Sequence, residues 1–195
     1  MKVLILNYGA SNLFSITSAF KRINVEAKVS DEVEEVDLLV LPGVGNFSHA
    51  SRTISRLREK ILKAAENGTN VLGICLGLHL FFEGSEEGPG QGLGIIRGYV
   101  KKLNEGKVPH MGWSYTKLTQ TLSFWPFKEG AWFYYAHSYY APYVREYVYA
   151  EAENEGTIIP AIVVKESFVG FQFHPEKSGE AGLLLLKQYL EVIRK

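Results

Sequence analysis

The chain has one cysteine, Cys75, among 195 residues. A single thiol cannot close an intramolecular disulfide, so nothing points to an oxidising compartment. Charge of either sign is not in surplus: 21 Lys and Arg stand against 21 Asp and Glu. That disfavours nucleic acid as a main partner, because a phosphate backbone is bound by a basic excess. No apolar run approaches the ~20 residues of a membrane span. The apolar start at Val3 to Leu6 is too short for a signal-peptide core and reads as a strand. Internal repeats, low-complexity tracts and linkers are missing as well. No spacing of His, Cys, Asp and Glu matches a metal site, and no cofactor is called for. The expectation is a soluble cytoplasmic chain forming one domain over residues 1–195. Its 46% hydrophobic and 22% charged residues are ordinary for such a domain.

What is present is ordered. The first half alternates short apolar runs with helical stripes. Strands are expected at Val3–Leu6, 25–29, 37–41 and Asn70–Ile74. A helix carrying Leu13, Ile16, Phe20 and Ile23 follows Ser11 as its capping residue. A second helix runs over Phe47–Glu66, with Ile54, Leu57, Ile61 and Ala65 at helical spacing and Gly68 as its stop, and a third over 76–83. This alternation predicts an α/β fold: an open, mostly parallel sheet flanked by helices. The second half predicts a loop over 83–98, then aromatic-rich antiparallel or mixed strands at 95–103, 131–137, 143–153, 161–165 and 168–173. An amphipathic helix closes the chain over 179–195.

The segment Val71-Leu72-Gly73-Ile74-Cys75-Leu76-Gly77 runs an apolar strand into Gly-Ile-Cys-Leu-Gly and then a helix. It is the cysteine form of the nucleophile elbow. A sharp strand-to-helix turn lifts the side chain above the sheet, small neighbours are required, and the N–H groups behind it favour thiolate. A base is offered by Phe171-Gln172-Phe173-His174-Pro175-Glu176, where Glu176 stands near enough to orient His174. Pro42-Gly43-Val44-Gly45 after the third strand brings main-chain N–H groups toward a developing oxyanion, together with the amide of Leu76.

These segments together resemble the class I, triad-type glutamine amidotransferases. Asn7-Tyr8-Gly9-Ala10-Ser11-Asn12-Leu13, Gly92-Leu93-Gly94, Val108-Pro109-His110-Met111-Gly112-Trp113 and Tyr135-Ala136-His137-Ser138-Tyr139-Tyr140 look like the glutaminase subunit of imidazole glycerol phosphate synthase. The resemblance implies hydrolysis of glutamine through Cys75, His174 and Glu176, and an oxyanion site at Gly43, Val44, Gly45 and Leu76. It implies glutamine contacts from Ser138 and Tyr139, an α-ammonium contact from Glu87, and Asn7, Asn12 and Lys177 near a subunit interface. Ammonia would pass to a (β/α)8-barrel cyclase subunit in a heterodimer, which makes imidazole glycerol phosphate and aminoimidazole carboxamide ribotide in histidine biosynthesis. One departure stands out: His79 occupies a position where the family usually has a substrate-holding Gln. Competing readings are a glutaminase feeding another synthase, a stand-alone Cys-His hydrolase and a non-catalytic scaffold. Residues 108–113 argue against the first two, and an intact Cys75, His174 and Glu176 against the third. Low activity of the isolated chain is expected, because so thin a glycine strand can turn its N–H groups away until a partner fixes it.

Overall fold

A computed structural model describes residues 1–9 and 12–194. Ser11, the expected capping residue of the first helix, lies outside the described residues, as does Ala10. The elements in chain order are β1 (Val3–Leu6), α1 (Leu13–Arg22), β2 (Ala27–Ser30), β3 (Leu38–Leu41), α2 (Phe47–Glu66) and β4 (Asn70–Ile74). They continue with α3 (Leu76–His79), β5 (Phe82–Ser85), β6 (Ile96–Lys102), β7 (His110–Leu118), β8 (Gly130–His137) and β9 (Tyr139–Tyr140). The last are β10 (Val148–Asn154), β11 (Thr157–Lys165), β12 (Phe168–Phe171) and α4 (Gly179–Ile193).

One nine-stranded sheet runs in the order β2-β1-β3-β4-β12-β11-β10-β7-β8, and β5-β6-β9 form a small second sheet. β2, β1, β3, β4 and β12 are mutually parallel, while β11, β10, β7 and β8 continue the same sheet antiparallel. The aromatic strands of the second half therefore extend the central sheet. Strand alternation divides the core. Ile5, Val40 and Leu72 face α1 and α4 through Phe20, Leu186 and Tyr189. Leu4, Leu39 and Val71 face α2 through Ile54 and Ile61. With both faces covered, β1, β3 and β12 are buried along their whole length. No helix among the described residues is long and apolar enough to cross a membrane.

Three expected elements differ. The helix at 76–83 stops at His79, because the carbonyls of Leu80, Phe81 and Phe82 accept hydrogen bonds from the amides of Leu93, Ile95 and Gly94. Part of the expected 83–98 loop is thereby drawn into β5 and β6. The strand expected over 143–153 begins only at Val148, because Tyr147 N–H closes a turn onto Val144. β7 was not expected as a strand. It turns Met111, Trp113 and Tyr115 outward and His110 and Thr116 inward, the reverse of the usual alternation.

Candidate active site

β4 and β12 are parallel neighbours, with Ile74 opposite Phe171, so the residues that follow them emerge side by side at the carboxyl edge of the sheet. This brings position 75 to position 174. Cys75 N–H donates to Phe171 O at 2.7 Å, and the residue holds φ 49°, ψ −100° as the turn swings into α3. That positive φ is unusual for a residue with a Cβ and is the elbow conformation expected from the motif.

The ring of His174 is completely buried. Its Nδ1–H donates to Glu176 Oε1 at 2.8 Å, which leaves Nε2 for the sulfur of Cys75. Burial works against a charge on this ring. Cys75 on one side and Glu176 on the other outweigh it and hold the pKa up at about 10. The arrangement favours a charged ring at His174 beside the sulfur. Two side chains not expected in it complete its supports. Asn12 Nδ2 donates to the same Glu176 Oε1 at 2.8 Å, and Ser178 Oγ ties His174 O (2.6 Å) to Tyr134 N–H (2.9 Å). Asn12, expected near an interface, thus hydrogen-bonds the carboxylate that holds His174. Lys177 is exposed, and Asn7 lies partly buried at the end of β1.

Cys75 opens on a pocket of about 210 Å³. Gly43, Val44, Gly45, Leu76, His79, Glu87, Ser138 and Tyr139 line it, together with Pro109, Met111, Ala136 and His137. His174 and Glu176 stand behind it. Four larger concavities, around Tyr143 and Arg145, Lys2 and Lys60, Arg58 and Glu166, and Lys101 and Ile158, contain neither cysteine nor histidine. Glu87 is partly committed: its carboxylate accepts from Phe47 N–H at 2.9 Å and from Asn46 Nδ2 at 3.3 Å, which caps α2. The Leu76 amide donates to Gly43 O at 3.4 Å, so this N–H is turned onto the glycine strand and not into the pocket. Tyr8 OH donates to Pro42 O and pins the start of that strand.

His110 and His137 form a hydrogen-bonded chain behind the pocket wall. His137 Nδ1–H donates to Tyr139 O at 2.9 Å. When His137 is neutral its Nε2 must accept, so His110 Nδ1–H donates to it at 2.9 Å, and His110 Nε2 accepts from Ser114 Oγ at 2.7 Å. Burial lowers the pKa of both His79 and His110 to about 4, and burial with neighbouring histidines puts His137 well below 6.5.

Because these folded values lie below the unfolded one, the unfolded chain takes up protons that the native one refuses. Stability present above pH 6.5 is lost as the pH falls toward 4, by up to about 3 kcal/mol for the His79 ring and by less for the more solvent-screened His110. His174 is shifted upward, so its contribution is already complete below pH 6.5 and does not vary in this window. Calorimetry across that range is expected to show a falling Tm, with a shallower fall in His110→Asn. A flat Tm would contradict the neutral-histidine assignment.

The family profile described as glutamine amidotransferase class-I matches residues 4–191. Curated relatives named imidazole glycerol phosphate synthase subunit HisH include one from Oceanobacillus iheyensis, 41% identical over 200 residues, covering 98% of this chain and 100% of the relative. Another, from Thermus thermophilus, is 41% identical over 202 residues, covering 99% and 100%. A crystal structure described as a glutamine amidotransferase has a similar fold, with a TM-score of 0.77 at 18% identity over 99% of this chain and 100% of that one.

Proposed function

The chain belongs to the class I glutamine amidotransferases, and from that premise we propose that it is the glutaminase subunit of an imidazole glycerol phosphate synthase. The observation that carries this reading is the buried Cys75–His174–Glu176 series opening on one small pocket. Full-length relatives at 41% identity supply the choice of synthase. Residues 1–195 act as one glutaminase domain, in the cytoplasm.

Glutamine enters with its γ-carboxamide at Cys75, its α-ammonium toward Glu87 and its backbone against Ser138 and Tyr139. The thiolate attacks the carbonyl carbon of the γ-carboxamide. His174 gives its proton to the departing nitrogen, and ammonia leaves a γ-glutamyl thioester. The neutral His174 then takes a proton from the water that attacks the thioester. Glutamate departs, and the thiolate–imidazolium pair is restored. Glu176 holds the ring so that Nε2 faces the sulfur and stabilises its charged form.

The ammonia passes to a cyclase partner, a (β/α)8 barrel. A face for it adjoins the pocket: Trp113 stacks edge-on against Tyr134, and Tyr115 likewise against Trp132. Met111, Trp113 and Trp132 are each more than half exposed. Aromatic residues and methionine of this kind are enriched at interface centres. Asn7, Asn12 and Lys177 lie toward the same interface.

Partner docking also completes the oxyanion site. The Leu76 N–H now spent on Gly43 O becomes available only when the Gly43 peptide rotates. One missing oxyanion donor costs about 10²–10³ in rate. Glutamate release by the isolated chain is therefore expected to rise about a hundredfold when the cyclase is added. Equal turnover with and without it would reject partner-dependent completion of the site.

A further inference from the structure

The register that brings Cys75 to His174 also sets Gln172, the residue after β12, beside the nucleophile. Gln172 is completely buried. Its Nε2 lies 3.7 Å from Cys75 Sγ, and its Oε1 lies 3.0 Å from His79 Nε2. An amide oxygen can only accept, so His79 Nε2 must carry the hydrogen. With Oε1 held there, the amide presents its NH2 to the sulfur. The reversed amide would turn an oxygen onto Sγ and repel a thiolate.

We infer that His79 is a positioning residue, which through Gln172 holds an N–H donor on the Cys75 sulfur and stabilises its reactive form. This rests on the reading of Cys75 as nucleophile. The ring at position 79 then has a task on the enzyme's side of the reaction, distinct from the substrate contact made by the Gln usual at this position in the family. A hydrogen bond to the charged form of a group favours that form.

Cys75 is the only thiol in the chain, so alkylation by iodoacetamide reports on it alone. Rates are measured on the full chain from about pH 5 to pH 10. In His79→Leu and Gln172→Met the rate profile is expected to move to higher pH, about tenfold slower on its rising limb and converging with wild type at high pH. Tenfold corresponds to about 1.4 kcal/mol, within the range for a hydrogen bond to a charged group. His79→Gln places an amide nitrogen where Nε2 stood and is expected to stay within about threefold of wild type. The double variant is expected to be no slower than either single one, because both changes break one chain of contacts. Long-range proton–nitrogen NMR of the wild type is expected to show His79 as the Nε2–H tautomer, a readout that needs no variant to fold. Wild-type alkylation profiles in both variants, or an Nδ1–H tautomer, would overturn the inference and leave the nucleophile assignment standing. Undiminished glutaminase activity in Cys75→Ala would instead remove the reading on which it rests.

Discussion

Replacing Cys75 with alanine is expected to lower glutamine-dependent turnover of the complex by about four orders of magnitude or more, with no loss of fold. In the proposed reaction the sulfur forms and releases the thioester, and no neighbouring group can substitute for it. Removing the nucleophile of a catalytic triad elsewhere costs on the order of 10⁶ in kcat. Packing suffers little, because the change deletes one atom from a side chain that already opens on a pocket. Two measurements separate chemistry from structure. The thermal midpoint of the variant should lie within a few degrees of wild type. With the proposed cyclase partner present, an ammonium salt should restore product formation, because in the proposed reaction the partner needs ammonia and not its source. Loss of both glutamine- and ammonia-dependent reactions would point to a failed assembly. Retention of the glutamine-dependent reaction would end the catalytic reading.

The second large effect falls on stability. The elbow brings the start of α3 against β3 so closely that a Cβ built on Gly77 would stand 1.9 Å from Leu41 O and 2.9 Å from Leu41 C. Both are backbone atoms of a buried strand whose own hydrogen bonds hold it between β1 and β4. Neither can yield as the end of a flexible side chain would. Gly73 makes the opposite side of the same approach, with its Cβ position 2.6 Å from Gly77 C and O. Gly77→Ala is expected to cost more than about 3 kcal/mol, the upper range for overpacking in a rigid core. Denaturant titration would show it as a fall in midpoint, or the variant would fail to accumulate as folded protein. The Gly73→Ala, Gly77→Ala double variant should cost less than the sum of the two, since both changes open one contact. An unchanged midpoint in Gly77→Ala would mean that the turn is looser than described.

Much of this was legible in the residues. α2 and β4 have the expected bounds because α2 carries a clear helical period with Gly68 as its stop, and β4 is a short apolar run that leads into the elbow at residues 73–77. The pairing of 75 with 174 was readable because each residue sits in a motif whose chemistry requires the other. β7 was not readable: its aromatic residues face outward and its histidine and threonine inward, so hydrophobic alternation points the wrong way. The short α3 was hidden for another reason. The apolar run after Cys75 continues a helical pattern, and only the long-range claims of residues 93–95 on the carbonyls of 80–82 end it. The supports of the site lie furthest from view. Asn12 meets Glu176 across 164 positions, Gln172 meets Cys75 across 97, and Tyr8 meets Pro42 across 34. No local spacing encodes such contacts. Asn12 and Tyr8 fell within a motif that resemblance picked out, and the structure gives them physical tasks.

The central claim is that one sulfur, activated by a histidine about a hundred positions away, takes the glutamyl group. It is tested most directly by incubating the assembled complex with a glutamine analogue that carries an electrophilic diazoketone in place of the carboxamide, followed by peptide mass spectrometry. One adduct is expected, on the peptide containing Cys75, formed at wild-type rate only when His174 is intact and blocked by excess glutamine. An adduct elsewhere, or labelling of Cys75 indifferent to both His174 and glutamine, would contradict it.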